Sequence, residues 1–149
     1  MIRQSWLGLV YVILAGTVPL NGLTTELGIE VTDAWVREAP PTAPVLAAYM
    51  TIVNTSGHVR TIVGAESPAF ERVEIHRTVI NQGIARMIRQ ERVEIPSGGR
   101  LKLAPGGYHL MLMKAKQSLK SGDLVDIVLI FAGGARLSLK APIKKTLDA

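Results

Sequence analysis

With no cysteine among its 149 residues, the chain must draw any soft metal ligand from three histidines and five methionines. The same absence removes a thiol nucleophile, a disulfide framework, a zinc ribbon and the thiolate of a blue-copper centre. The most informative segment is Tyr108-His109-Leu110-Met111-Leu112-Met113. Side chains alternate along a strand, so His109, Met111 and Met113 share one face while Tyr108, Leu110 and Leu112 share the other. Neighbours on one face stand about 6.5–7 Å apart, a gap that two inward-leaning side chains close around one ion. An imidazole beside thioethers suits a soft, late metal, and Cu(I) is the physiological ion that accepts Met sulfur readily. Zinc asks instead for Cys, His or carboxylate. Taken alone the hexapeptide also fits core packing, since Met commonly fills apolar gaps.

Two further residues add to it. His76, in Val73-Glu74-Ile75-His76-Arg77, falls on the polar face of a strand whose Val73 and Ile75 face the other way. Met87 follows across Asn81-Gln82-Gly83, a short hairpin loop that sets the two segments side by side, where cross-strand neighbours approach to about 5 Å. His58 follows the turn sequence Asn54-Thr55-Ser56-Gly57 and reads as an exposed loop residue.

The elements that would carry these residues are short strands. From Gly28 onward, alternating or apolar runs are separated by Gly, Pro, Asn and Ser clusters, and no long amphipathic helix intervenes. Strands are expected over Ile29–Val36, Leu46–Val53, Arg60–Ala65, Arg72–Ile80, Ile84–Ile95 with a break, Arg100–Leu103, Tyr108–Met113, Leu124–Phe131 and Ala135–Lys140. These make about nine strands, an all-β sandwich or barrel. Gly133-Gly134 supplies the positive φ values of a two-residue hairpin turn. Pro40-Pro41-Thr42-Ala43-Pro44 belongs in a loop or at an edge.

The chain has room for one domain, residues 24–149, behind an N-terminal segment, 1–23. Arg3 and the apolar run Trp6–Val18 give that segment the form of a signal peptide, or of an anchor if it is retained. The domain is therefore expected outside the cytoplasm, as a monomer, touching a membrane only through that segment. The net charge of +5 is spread along the chain among acidic residues, unlike the clustered basic, aromatic face of a nucleic-acid binder. No G-x-S-x-G, H-E-x-x-H or phosphate-cradling loop occurs, and Glu71/Glu74 and Glu91/Glu94 have odd spacings that put each pair on opposite faces. Nothing argues for an enzyme.

Taken together, His76, ten residues, Met87, twenty-one residues, His109, one residue and Met111 match at every spacing the signature H(M)-x10-M-x21-H-x-M. The chain thus resembles the periplasmic copper chaperones called PCu(A)C. The likeness extends to Gly106-Gly107-Tyr108 and Leu119-Lys120-Ser121-Gly122-Asp123, and covers roughly Ile29 to Ile143. It implies a cupredoxin-like or immunoglobulin-like β-fold that binds one Cu(I) through His76, Met87, His109 and Met111. It also implies delivery toward the copper centre of cytochrome c oxidase, together with Sco-type proteins. The optional Met after the first His is Arg77 here, and no His or Met follows Met113 to supply a second site. The competing reading is a metal-free immunoglobulin-like interaction module whose Met residues only pack.

Overall fold

The computed structural model describes residues 27–146, so the expected N-terminal segment lies outside the described residues. Ten strands follow one another: β1 (Ile29–Arg37), β2 (Val45–Asn54), β3 (Arg60–Glu66), β4 (Phe70–Asn81), β5 (Ile84–Arg89), β6 (Val93–Ile95), β7 (Arg100–Leu103), β8 (Tyr108–Ala115), β9 (Leu124–Phe131) and β10 (Arg136–Lys144). They hydrogen-bond in the order β5-β4-β8-β7-β2-β1-β10-β9-β3-β6, and a further β3–β4 pairing closes the sheet into a barrel with β5 and β6 as extra strands. Of the two expected architectures, sandwich or barrel, the chain takes the barrel. Closure pairs the edges that an open sheet would expose.

The barrel is filled from alternate positions of each strand. Ile127, Leu129, Phe131, Leu110, Leu112, Ile52 and Phe70 are almost wholly buried within it. In β8, Leu110 and Leu112 point into this core while His109 and Met111 take the opposite face. The period-2 alternation of that hexapeptide thus fixes the outward direction of its polar and sulfur side chains.

The expected break in one run and two local departures have physical causes. The run Ile84–Ile95 divides because its halves join different neighbours: β5 pairs with β4, whereas β6 pairs with β3 through Arg60↔Ile95 and Ile62↔Val93. Every residue of β5 is exposed, so it buries no apolar stripe, while Val93 and Ile95 alternate with Glu94 and are buried. The β9–β10 loop is one residue longer than a two-residue turn, since Phe131 N–H donates to Ala135 and leaves Ala132, Gly133 and Gly134 between them. Both glycines have φ near +90° (91° and 92°), a conformation costly for other residues. β10 runs beyond Lys140 because Ile143 and Lys144 pair in parallel with Val36 and Arg37 of β1.

Leu112, with no exposed surface, anchors the inner face of the strand that carries His109 and Met111. Leu112→Ala is expected to lower the stability of the metal-free protein by about 2–5 kcal/mol, the cost of deleting a buried leucine and leaving a cavity. Urea unfolding measures this; a loss under about 1 kcal/mol would mean that β8 is not packed as described.

Candidate metal centre

The site is built on the antiparallel β4–β8 pair. Its register sets His76 opposite His109, Glu74 opposite Met111 and Arg72 opposite Met113. Directly opposed residues share a face with Cβ atoms about 4.5–5.5 Å apart, and the two imidazole centroids lie 5.9 Å apart with planes inclined at 51°. Val73 and Ile75 alternate with Glu74 and His76 and bury themselves in the core, which directs the polar pair outward.

Met87 arrives on β5. The hairpin turn is tighter than expected: Asn81 pairs with Ile84, leaving only Gln82 and Gly83 in the turn, at φ of 51° and 77°. Two consecutive positive φ values match the twist of a two-residue hairpin. In this register Met87 stands opposite Thr78 and Arg89 stands opposite His76. Met87 is therefore a diagonal neighbour of His76 rather than its direct partner, within reach of a long side chain. It is 60% exposed. A cleft of about 320 Å³ is bordered by Met87, His109, Met111, Ala47, Tyr49 and Arg37. His76 does not line that cleft but stands beside His109 on β4.

The ring nitrogens decide what the site can do. His109 Nδ1 lies 3.1 Å from the Gly107 carbonyl oxygen, which can only accept, so Nδ1 carries the proton and Nε2 keeps a free lone pair. His76 Nε2 lies 2.8 Å from Glu74 Oε2, and by the same reasoning the free lone pair of neutral His76 is on Nδ1. Both free nitrogens, His76 Nδ1 and His109 Nε2, are buried with no hydrogen-bond partner, as is Arg37 Nε at the cleft. Leaving a buried polar atom unpaired costs about 1–3 kcal/mol. Two desolvated lone pairs on opposed strands, beside one thioether and diagonal to another, fit a soft cation. Among the described residues no three His, Asp or Glu side chains converge as a metal site. With the thioethers of Met87 and Met111, the soft candidate donors number four.

Glu74 is the residue that sequence reasoning passed over. Its separation from Glu71, which pairs instead with Lys114 at 3.2 Å, says nothing about its own role. Glu74 and His76 are two apart, hence on one face, and that i, i+2 spacing was the signal available. The Glu74 carboxyl is held below the usual carboxylate range, first by the hydrogen bond from His76 and then by Arg89 and Arg72, against the opposing effect of burial. Arg72 Nε lies 3.1 Å and Arg89 Nη1 3.6 Å from Oε1. Met113, farther along the same face, accepts from Arg72 Nη2 at 3.3 Å. His58 is exposed in the β2–β3 connection, away from this group.

A barrel of this topology with a His/Met face on β4 and β8 has the fold of PCuAC domains. The copper-bound PCuAC domain from PmoF2 superposes with a TM-score of 0.67 over 79% of this chain and 93% of that one, at 21% identity, a likeness of fold alone. The solution structure of the Cu(I) form of DR1885 from Deinococcus radiodurans shares 36% identity over 77% of each chain, with a TM-score of 0.63. Residues 29–143 match the model of the family described as "Putative lipoprotein LpqE-like", and the chain belongs to this LpqE-like, PCuAC-type family. The "Putative lipoprotein Lxx21020" of Leifsonia xyli subsp. xyli is 35% identical over 118 residues, 78% of this chain and 70% of its own length. An uncharacterized Rickettsia prowazekii protein, RP573, is 29% identical over 116 residues, and the chain spans 62% of its length.

Because Met87 is exposed on a two-stranded arm, it contributes little to packing. Met87→Ala is expected to change the unfolding free energy of the metal-free protein by no more than about 0.5 kcal/mol, as for ordinary surface substitutions. A loss above about 2 kcal/mol in urea unfolding would make Met87 a structural residue instead.

Proposed function

We propose that this protein is an extracytoplasmic copper chaperone, not an enzyme, that binds one Cu(I) through His76, Met87, His109 and Met111. The observation that carries this reading is the pair of buried, unpartnered ring nitrogens, His76 Nδ1 and His109 Nε2, set beside Met111 and within reach of Met87. Two neutral imidazoles and two thioethers form a soft, uncharged donor set, which favours Cu(I) over zinc or a hard cation. The Cu(I) form of DR1885, 36% identical to this chain, supports copper as the cargo. The lipoprotein description of the family supports a place outside the cytoplasm, and the signal-like N-terminus is in keeping with the periplasm. A metal-free interaction module gives no reason for two opposed histidines each to keep a buried, unpartnered ring nitrogen.

Delivery needs ligands that can be displaced one at a time. Met87, the most exposed of the four, is the natural first to yield to an incoming acceptor ligand, while His109, only 5% exposed, is the natural last. The acceptor in this reading is the copper centre of cytochrome c oxidase, with a Sco-type protein as a companion. Anaerobic titration under a competing chelator should saturate at one Cu(I) per chain. His109→Ala should weaken binding by more than the roughly 10–100-fold typical of losing an outer-shell partner. Mixing the loaded protein with the soluble copper domain of the oxidase subunit should transfer the ion, read from the acceptor's absorption spectrum. A second tight equivalent, unchanged affinity in His109→Ala, or no transfer would each contradict the corresponding part of the reading.

A further inference from the structure

The geometry points to Glu74 as a positioning residue that makes Nδ1, rather than Nε2, the copper-facing nitrogen of His76. This rests on the copper reading above and adds to it the atom through which His76 ligates and the residue that selects it. An imidazole has two nitrogens, and the hydrogen bond made by one determines which is left for a metal. His109 is oriented by a backbone carbonyl, that of Gly107 at 3.1 Å, so its tautomer follows from the turn before β8. His76 has no such backbone partner. Its Nε2 is held instead by the Glu74 carboxylate at 2.8 Å, and its Nδ1 is the buried atom left unpaired.

Glu74 is itself fixed. Its side chain is 11% exposed and sits between Arg72 on its own strand and Arg89 on β5. Arg89 is directly opposite His76 and two residues from Met87, so one carboxylate links the strand carrying the His to the arm carrying the Met. A carboxylate behind a metal-bound imidazole fixes the tautomer and ring orientation and raises ligand basicity, and losing such a partner typically costs 10–100-fold in metal affinity. Its negative charge also lies one imidazole away from an ion that the four neutral ligands leave uncompensated.

The test begins with the metal-free wild-type protein. Long-range ¹⁵N–¹H spectra of the histidine rings at mildly alkaline pH should show His76 protonated at Nε2 and bare at Nδ1. After one equivalent of Cu(I), Nδ1 should be the nitrogen whose resonance shifts as the metal-bound atom, with Nε2 still protonated. Glu74→Ala should lose the protected Nε2–H signal and about 10–100-fold in Cu(I) affinity. Glu74→Gln, whose amide oxygen still accepts from Nε2–H, should keep the tautomer and bind more tightly than Glu74→Ala. Copper on Nε2 of His76, or unchanged affinity in a folded Glu74→Ala protein, would overturn the assignment. Failure of the wild type to take up Cu(I) at all would bring down the copper reading and this inference with it, whereas normal uptake through Nε2 would remove only the inference.

Discussion

The register of the β4–β8 pair is the constraint on which the candidate site depends. With His76 opposite His109 and Glu74 opposite Met111, two imidazoles, a thioether and a carboxylate share a patch three residues long on two strands. A slip of one residue would turn one strand's set toward the barrel interior, because strand side chains alternate with a period of two. The register is secured from behind: Val73 and Ile75 on β4 and Leu110 and Leu112 on β8 are buried in the core. The apolar face therefore specifies the polar one.

Two demands meet on this framework. Holding two ring nitrogens dry and unpaired costs stability, and a barrel whose interior is filled by large aliphatic and aromatic side chains can absorb that cost. Rigid strands supply the histidines, while an exposed two-stranded arm supplies Met87. The difference in exposure, 5% for His109 against 60% for Met87, grades the four residues from anchored to accessible. Under the proposed function, such a gradient suits both holding an ion and releasing it.

Much of the site was legible because it rests on local rules. Alternation placed His109 and Met111 on one face and Leu110 and Leu112 on the other, and β8 follows it. The turn residues after Ile80 implied a hairpin that brings Met87 back toward His76, and the structure contains that hairpin. What could not be read were the consequences of pairing between distant segments. That Ile84–Arg89 stays with β4 while Val93–Ile95 crosses to β3 depends on barrel closure, to which no local pattern refers. The diagonal placement of Met87 depends on whether Asn81 pairs or turns, a difference of one residue. Glu74 was discounted because it was weighed against Glu71 rather than against His76, the histidine two residues away.

The central claim is that His76, Met87, His109 and Met111 hold one ion together, and copper K-edge X-ray absorption of the protein loaded with one Cu(I) tests it most directly. Two nitrogen and two sulfur neighbours are predicted, with one sulfur lost in each of the single variants Met87→Ala and Met111→Ala. A spectrum with no sulfur neighbour, or one that neither variant alters, would contradict the account.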